Sequence, residues 1–580
     1  MTSPYRHRSA SHRPMRAAGL RKGRRYGVPR AMIERAAERR LVGDWLGACA
    51  AADMAVDLDL RALRRGYGAE FARTLLDDLR NLVPDLVRWH FPRFWHGDGR
   101  LLPLQRLLLS RPGGDGGPWL SVRQVDWRVH GARRLVLEVA GHSWEDTMPV
   151  RAESDHRVEY WENIPHVWAT GRHLWDSRRV GEARGRWGGD AHRAPFLHPD
   201  GAPRALGELP AADPGPDDPV ARVEWIEVLH ETGRVAEAFA AAGIDLDTSP
   251  VEMEWGDPVD PVEALSYAPL SVSRLAAEVE RLDAAGLGDE HWFPYDAHSR
   301  FRIRRSGDGA TSLWLEKAEA GRADPPILAE ACRNRPIDID VLRDGAVSPD
   351  ELHPLVREAL APARGPAGGP VGPPDPDPPG PVRVRCRGEW HTVVPGVDGP
   401  AVPHDEDELR REAALRALGG RSTGCHAVRE AWATGSGRLP KALRLFRDDL
   451  FERVRHGDTE AVLRHLDSGG DPRVRDRSGR TLLHHMHLLD HEALLPRLLE
   501  AGVEVDARDS EEQTPLFRTT RLGGPPALAR ALLAAGAATE GIGGDERHGD
   551  TFEEAVEWRS PLVEDPEQSG WEALFDELGL

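Results

Sequence analysis

The chain has 580 residues, of which 40% are hydrophobic, and its formal net charge is −19. One hydrophobic core rarely serves more than about 250 to 300 residues, and no apolar run approaches the roughly 20 residues of a membrane span. A single domain and a membrane-spanning protein are therefore excluded. Four cysteines without a Cys-x-x-Cys pair are too few for a secreted disulfide scaffold, so we predict a cytoplasmic protein. Arginine far outnumbers lysine, which is typical of a GC-rich bacterial genome.

The two ends of the chain carry opposite charges. Residues 1–40 hold twelve Arg or Lys and two Glu, whereas residues 541–580 hold twelve Asp or Glu and two Arg. Residues 1–31 lack both the apolar core of a signal peptide and the apolar periodicity that begins at Met32. We predict that they form a disordered basic tail or precede a true start at Met32. Aromatic residues are not interleaved with the basic ones, so we predict no nucleic-acid partner. Because the chain has no apolar run long enough for a membrane span, we also predict no membrane partner.

Residues 32–360 show an order of elements that occurs twice. Each copy has a helix pair, a short strand, another helix and strands near a Gly-Asp-Gly turn. The matched segments are 32–59 and 225–247, then 75–82 and 275–282, then 114–116 and 307–309. The order indicates two α+β units related by an internal duplication, although chance similarity in an Ala-rich chain would give the same pattern.

Stretches rich in Pro and Gly divide the chain, because they favour linkers over packed structure. The predicted parts are a tail (1–31), α+β unit 1 (32–209), a linker (210–219), α+β unit 2 (220–360), a Pro/Gly linker (361–381), a small α+β adaptor (382–447), a repeat region (448–540) and an acidic C-terminal cap (541–580). The cap is predicted to pack through apolar residues at helical spacing, namely Trp571, Leu574, Phe575 and Leu578.

A period of 33 residues runs through 448–540, with Asp476 and Asp509 at equivalent positions. This part resembles the ankyrin-repeat family, whose motif runs D-x-x-G-x-T-P-L-H and later L-L-x-x-G-A. The resemblance implies structural roles for Gly457, Gly469, Gly479, Thr481, His484, Gly502, Thr514, Pro515 and Gly536. Departures from the motif are Leu482 for Pro, Phe517 for His and Glu512 for a turn Gly. The predicted fold class is thus a mixed α/β (α+β) N-terminal region followed by a short all-α ankyrin solenoid.

The resemblance implies a protein-protein interaction module or scaffold, since ankyrin arrays bind other proteins through turn tips and the exposed side of their first helices. The candidate contacts to an unidentified protein partner are Arg475, Arg477, Arg480, His485, Arg508, Ser510, Glu511, Arg518 and Arg521. The N-terminal region also resembles actinobacterial ankyrin-repeat proteins, which implies no particular chemistry for it.

Several groups of side chains have residue types that occur in binding sites. The group His484, His485, His487 and His491 lacks a matched carboxylate or thiolate, and Cys386, His391 and Cys425-His426 would need adjacent residues to bind one ion. The turn 435–441 lacks the ending of a P-loop. We therefore predict no metal, no cofactor and no catalytic residue.

The alternative is an enzyme or a toxin-immunity domain in residues 32–360, with the ankyrin array as a targeting module. Such a domain would have a Trp-lined cleft into which polar groups converge. The candidate polar groups are His90, His96, His142 and His166.

Overall fold

The computed structural model describes residues 18–19, 21–93, 99–102, 105–114, 116–124, 135–141, 165–253, 258–296, 299–317, 325–374, 380–420, 422–522, 524–543, 550–557 and 568–578. Over these residues the fold mixes α-helices with β-sheets and divides into two compact units. The first unit holds the described residues up to Pro374, and the second holds those from residue 380 onward. No helix within these ranges is long and apolar enough to cross a bilayer.

The first unit combines short helices with two small sheets. Its helices are α1 Arg30–Leu41, α2 Trp45–Ala51, α3 Leu60–Asn81 (kinked at Gly68), α4 Pro84–His90, α5 Ala183–Arg186, α6 Pro219–Glu231, α7 Val235–Ala241, α8 Pro261–Ser266, α9 Val272–Ala284, α10 Glu330–Arg333, α11 Ile337–Arg343 and α12 Pro354–Leu360. Short 3-10 helices occur at Arg172–Leu174, Val180–Glu182, Leu206–Glu208 and Pro349–Glu351. Its strands are β1 Met54–Asp57, β2 Arg106–Ser110, β3 Trp119–Gln124, β4 Leu135–Ala140, β5 Pro165–Val167, β6 Ile244–Leu246, β7 Glu290–Pro294, β8 Ser299–Arg305 and β9 Thr311–Lys317.

The two sheets share one topology. In the first, β1 pairs in parallel with β4, which continues through antiparallel β3 and β2 to the parallel edge strand β5. In the second, β6 pairs in parallel with β9, followed by antiparallel β8 and β7. Each sheet is therefore a three-stranded meander whose last strand pairs with the short strand that follows a helix pair. This common topology supports the predicted duplication, with β5 as an addition to the first copy.

The Gly-Asp-Gly turns are not equivalent in this topology. Gly114 and Gly116 lie between β2 and β3, in the first hairpin of their meander, whereas the turn 307–309 joins β8 to β9 in the second hairpin. Matching the two turns is therefore wrong. Hairpin turns favour glycine wherever a positive φ is needed, so the tripeptide marks a turn without marking which turn it is.

Among the described residues of the first unit, the main hydrophobic core draws on both predicted α+β units. Leu107 and Trp119 from the first sheet belong to the same buried cluster as Leu275 and Ile303 from the second half. The predicted linker 210–219 therefore does not divide the region into two units, and that division is wrong. A helix or sheet with one apolar face buries that face against a complementary one. Here the apolar faces of the two halves pack against each other.

Residues 21–31 pack into the first unit and do not form a tail. Residues 21–27 are helical, and Val28 is fully buried. Arg24 is also buried, with Nη2 3.4 Å from Asp338 Oδ2, and the carbonyl of Gly27 accepts a hydrogen bond from Arg88 Nε at 2.9 Å. The predicted boundary at residue 32 is therefore wrong, because part of the basic sequence supplies internal pairs and not solvated charge. Residues 1–17 and residue 20 lie outside the described residues.

The Pro- and Gly-rich stretch 361–381 begins as packed structure. The N–H of Ala363 donates to the carbonyl of Pro199 at 2.9 Å, and Arg364 pairs with the carboxylate of Asp350 at 2.6 Å. The N–H of Gly372 donates to the backbone carbonyl of Asp350 at 2.8 Å. Residues 361–374 thus belong to the first unit and are not a linker, while residues 375–379 lie outside the described residues.

The second unit is a two-stranded hairpin followed by helices. Its antiparallel strands are β10 Val382–Cys386 and β11 Glu389–Val393. Its helices are α13 Glu406–Ala417, α14 Gly424–Thr434, α15 Lys441–Arg455, α16 Thr459–Asp467, α17 His491–Glu500, α18 Pro515–Arg521, α19 Pro526–Ala534, α20 Phe552–Glu557 and α21 Gln568–Leu578, with a 3-10 helix at Leu482–Leu488. The predicted boundary between adaptor and repeats, at residues 447 and 448, falls inside α15. Leu443 and Leu450 of that helix are both buried in one continuous core, so the adaptor and the repeat region are a single folded unit.

The C-terminal helix α21 packs against α19. Trp571 and Leu574 are buried in the core of the second unit, and Arg530 of α19 pairs with Glu577 at 2.9 Å. Leu578 is 41% exposed. The apolar stripe predicted for the cap therefore points inward at Trp571 and Leu574. The side chain of Phe575 lies outside the described residues.

Candidate interaction surface of the repeat region

Two aspartates 33 residues apart build the same turn. Oδ1 of Asp476 accepts hydrogen bonds from the N–H groups of Ser478 (2.8 Å) and Arg480 (3.0 Å). Oδ1 of Asp509 accepts from the N–H groups of Glu511 (2.9 Å) and Gln513 (3.0 Å). The side chain thus takes up backbone donors that the chain reversal leaves without partners. The 33-residue spacing of the two aspartates in the sequence therefore corresponds to two identical turns in the structure.

Each turn is tied to the next one by an arginine. Arg475 Nη1 donates to the carbonyls of Gly479 (2.6 Å) and Arg508 (2.7 Å). Arg508 repeats this pattern, with Nη1 donating to the carbonyl of Glu512 at 2.7 Å and Nη2 to that of Gly541 at 2.5 Å. In both cases the acceptors lie 4 and 33 residues ahead in the chain. These two arginines, predicted as partner contacts, hold neighbouring turns together.

His484 connects the same turns from inside. Its Nδ1 accepts from the N–H of Thr481 at 3.0 Å, and its Nε2 lies 3.0 Å from the carbonyl of Gln513. Because Nδ1 accepts, the proton of the neutral ring is on Nε2, where it can be donated to that carbonyl. Burial lowers the pKa of His484 to about 3, so the ring stays neutral near pH 7. This is the loop-tying role that the ankyrin resemblance implies for this residue.

We expect His484→Gln to flatten the pH dependence of stability. Above the ordinary histidine pKa of about 6.5 neither state gains a proton, whereas below it the unfolded chain protonates and the folded one does not. The stability that His484 provides is therefore present above that pKa and is lost as the pH falls toward the folded value of about 3. Between pH 7 and pH 5 the free energy of unfolding should fall by about 2 kcal/mol more in the wild type than in the variant.

Urea titrations of the full chain at pH 7, 6 and 5 measure this difference. His491→Gln is the matched control, since His491 lies half-exposed at the start of α17. Other histidines contribute equally to all three proteins. Equal pH slopes for the wild type and His484→Gln would show that His484 is protonated as readily in the folded state as in the unfolded chain.

The tips of the turns carry the exposed side chains, which we call the tip set: Arg477, Ser510, Glu511 and Glu512. The side chain of Arg477 is 68% exposed and pairs with Asp448, and that of Glu511 is 60% exposed with Oε2 3.5 Å from Arg480 Nη2. Glu512 stands where the previous turn has Gly479, and both residues have positive φ, 59° and 72°. Neither Asp448 nor Glu512 was among the predicted contacts, although Glu512 was identified as a departure from the motif.

The remaining predicted contacts are less exposed. His485 is buried, with Nε2 3.2 Å from Asp476 Oδ2, so its assignment to the exposed face is wrong. Arg480 is half-buried, and its Nε donates to Asp509 at 2.9 Å. Arg518 is also half-buried, and burial lowers its pKa to about 10. Arg521 is half-buried at the end of α18. The predicted contacts on the first helices therefore serve mainly to pack the repeats together, because these short helices bury most of their surface.

The predicted structural residues lie at the ends of helices and in turns. Thr514 caps α18 by accepting from the N–H of Phe517 at 3.3 Å, and Pro515 takes the first helical position. The glycines of the motif all have positive φ, namely Gly457, Gly469, Gly479, Gly502 and Gly536.

The turn 435–441 is a helix end and not an anion nest. Gly435 closes α14 in the left-handed conformation, and its carbonyl accepts from Arg447 Nη1 at 3.2 Å. A side chain here would collide with the next repeat, since a Cβ on Gly435 would lie 1.8 Å from the carbonyl oxygen of Asp476. Only glycine allows this approach.

The histidine candidates of the enzyme alternative are partly described. His166 is buried with Nε2 2.7 Å from Gln105 Oε1, and the ring of His90 lies edge-on to Trp187 at 6.0 Å. His96 and His142 lie outside the described residues. A groove of about 500 Å³ in the first unit is lined by Arg35, Glu38, Arg39, Asp44, Gly47, Ala50 and Ala51, without Trp or His. These observations name no reaction, and the enzyme alternative stays a prediction.

One group of side chains in the described ranges could hold a metal ion: Cys386, His391, His404 and Cys425. It differs from the candidate set Cys386, His391, Cys425 and His426 of the sequence by having His404 in place of His426. His404 lies 21 residues before Cys425 in the chain, and only the fold brings the two together.

Comparisons with known proteins found a similarity over a short part of the chain. No model of a known protein family matches the chain. Over 66 residues, or 11% of its length, the chain is 41% identical to the ankyrin repeat-containing protein P1E11.10 of Schizosaccharomyces pombe. The match spans 32% of that protein, so this chain covers about a third of the relative's length. The similarity supports an ankyrin-repeat region in this chain.

Proposed function

We propose that the chain is a cytoplasmic protein-interaction module whose repeat region is an ankyrin solenoid that binds a protein partner through the tip set. The observation that carries the proposal is the regular 33-residue framework, with its arginine ties and paired aspartate turns, which ends in exposed polar side chains. The ankyrin similarity supports the same reading. Binding residues on rigidly held loops are a common arrangement in proteins.

The tip set has charges of both signs on a fixed frame. Arg477 lies on one turn, and Glu511 and Glu512 lie on the next. The turn backbones are joined by the hydrogen bond from the N–H of Ser510 to the carbonyl of Ser478, at 2.8 Å. A partner with an acidic group facing the first turn and a basic group facing the second would complement this surface. Such complementarity sets the partner and its orientation.

Charge reversal at Arg477 tests the proposal. Arg477→Glu breaks one exposed inter-repeat ion pair, with Asp448, and exposed pairs contribute about 0–1 kcal/mol to stability. Arg497→Glu is the matched control, because Arg497 lies on α17 and forms a comparable exposed pair with Asp467 at 2.7 Å. Both variants should therefore fold like the wild type, while only one alters the tip set.

The measurement is quantitative affinity capture from the native host with the wild-type chain, Arg477→Glu, Glu511→Arg and Arg497→Glu as baits. We expect at least one protein that the wild type and Arg497→Glu retain equally and that both tip variants bind about tenfold more weakly or worse. If every captured protein binds all four baits alike, the tip set is not the binding surface.

A further inference from the structure

Four potential metal ligands meet where the hairpin of the second unit approaches α14. Cys386 ends β10, His391 lies in β11, His404 precedes α13, and Cys425 lies in the first turn of α14. Arg387 and Gly388 both have positive φ, 52° and 93°, so the hairpin has the tight two-residue turn that sets the two strands side by side. Along the chain the spacing is Cys-x4-His-x12-His-x20-Cys.

Three distances between the ligand atoms agree with the edges of a zinc tetrahedron. Cys386 Sγ lies 3.5 Å from His404 Nε2, and Cys425 Sγ lies 3.5 Å from His391 Nδ1. The two ring nitrogens are 3.2 Å apart, and all four ligand atoms lie within 4.8 Å of one another. Zn–S bonds of about 2.3 Å and Zn–N bonds of about 2.0–2.1 Å at tetrahedral angles give S···N edges of about 3.6 Å and an N···N edge of about 3.3 Å.

The surroundings of His404 direct its lone pair into the cluster. Its Nδ1 lies 3.0 Å from Glu408 Oε2, and an ionised carboxylate only accepts, so the ring proton is on Nδ1. Nε2 is then an acceptor that faces both Cys386 Sγ and His391 Nδ1. A carboxylate behind a ligating histidine is the usual outer partner in zinc sites.

Hydrogen bonds alone would use these contacts only weakly, because a thiol is a weak donor and a weak acceptor. If both thiols donate to the rings, the lone pairs of His391 Nδ1 and His404 Nε2 face each other at 3.2 Å. If His391 donates to His404 instead, the thiol of Cys425 loses the nitrogen 3.5 Å away as its acceptor. A cation at the centre satisfies all four groups at once.

The backbone is shaped to allow this convergence. Gly424 has a φ of 59°, and a Cβ there would lie 2.7 Å from Cys386 Sγ and 2.8 Å from Cys386 Cα. Only glycine lets the start of α14 come this close to the end of β10. Both cysteines are buried, and the side chain of His404 is 4% exposed, so the centre of the cluster is sheltered from water.

We propose that Cys386, His391, His404 and Cys425 bind one Zn²⁺ ion in a closed structural site that fastens the β10–β11 hairpin to α14. Two thiolates and two imidazoles are a ligand set that zinc prefers, and four protein ligands leave no position for a substrate. A lone two-stranded hairpin is marginally stable, so the ion supplies a link that packing provides only in part. The ring of the neighbouring His426 packs against that of His404 in a tilted arrangement, with centroids 4.7 Å apart, and His426 is not a ligand.

The test is the metal content of the purified full chain, before and after reconstitution with Zn²⁺ and with Co²⁺. His404→Ala and His426→Ala are the matched pair, since each removes one of two imidazoles that contact each other. We expect about one equivalent of zinc in the wild type and in His426→Ala, and less than a tenth of that in His404→Ala, Cys386→Ser and Cys425→Ser. The Co²⁺ form of the wild type should show the strong visible bands of tetrahedral cobalt and a thiolate charge-transfer band.

A second measurement uses only the wild type and covers variants that fail to fold. Zinc should protect Cys386 and Cys425 from alkylation in the native chain, and a chelator should expose them while lowering the melting temperature of the second unit. Cys49 and Cys332 are buried in the first unit and should be unaffected by the chelator. Absence of zinc after reconstitution, equal zinc in His404→Ala and His426→Ala, or a Cys386–Cys425 disulfide seen as a 2 Da mass decrease (two hydrogens lost) would each overturn the proposal.

Discussion

Asp338→Ala is expected to lower the free energy of unfolding of the first unit by about 3–5 kcal/mol, because it leaves a buried arginine without its counter-charge. Asp338 is 1% exposed and accepts hydrogen bonds from Arg24 Nη2 at 3.4 Å and from Trp89 Nε1 at 3.1 Å. The guanidinium of Arg24 also lies over the ring of Trp89, 4.5 Å from its centroid. Burial lowers the pKa of Arg24, and the Asp338 carboxylate opposes that effect. Removing the carboxylate therefore removes what allows the charge to be buried.

Two controls separate this effect from ordinary loss of an ion pair. The exposed pair of Arg39 and Asp44 is also 3.4 Å apart, and Asp44→Ala should cost about 1–2 kcal/mol at most, including the lost helix cap. The double variant Arg24→Met with Asp338→Leu should cost less than Asp338→Ala alone, since no unpaired charge stays buried. Guanidinium titrations of the full chain, monitored by tryptophan fluorescence, supply the three values. Equal losses for Asp338→Ala and Asp44→Ala would mean that residues 21–31 do not pack as described.

Trp571→Ala is expected to lower the free energy of unfolding of the second unit by about 3–5 kcal/mol and to promote aggregation. Trp571 is 3% exposed, and its ring lies 6.3 Å from that of Phe552. On α19 the buried Leu528, Ala529 and Leu532 belong to the same core as Trp571. After the last repeat, α20 packs against α18 and α21 packs against α19. Helix α21 therefore covers an apolar face of α19 that would otherwise meet water.

Leu578→Ala is the matched control for this prediction. It removes an apolar side chain from the same helix, but Leu578 is 41% exposed, so the loss should stay below about 1 kcal/mol. Thermal unfolding and light scattering of the two variants measure the difference. If both variants melt and scatter like the wild type, α21 does not protect the core of the second unit.

In the repeat region, the sequence pattern predicts local features that the structure also shows. The spacing of Asp476 and Asp509 predicts identical turns, and their hydrogen bonds are identical in the structure. Thr514 and Pro515 begin a helix as their types suggest. These features depend on contacts within a few residues, which residue type and spacing largely determine.

The side-chain cluster of Cys386, His391, His404 and Cys425 shows what the sequence pattern does not predict. Cys386, His391 and Cys425 are recognisable as candidate ligands in the sequence. His426, adjacent to Cys425, is the more obvious fourth candidate than His404. The choice between the two histidines depends on how the loop before α13 packs against the hairpin. That contact joins segments that are separated in the sequence. The carboxylate of Glu408, four residues after His404, is the one local sign that this ring has an oriented role.

Charge is the property that the sequence alone describes least well here. Arg24, Arg475 and Arg508 look alike in the sequence. In the structure Arg24 is buried, whereas Arg475 is half-buried, Arg508 is exposed, and both of these donate to carbonyls of neighbouring turns. Exposure depends on what packs over a residue, and that partner is often distant in the chain.

Local periodicity and turn chemistry therefore determined the helix pairs, the 33-residue period and the mixed α/β character of this protein, because these arise from neighbours along the chain. The tertiary structure alone decided that the two predicted α+β units share one core and that residues 21–31 belong to it. It also decided which polar residues are exposed and which histidine joins the cysteines. These outcomes depend on long-range packing, in which each face is buried by whichever complementary face the folded chain brings to it.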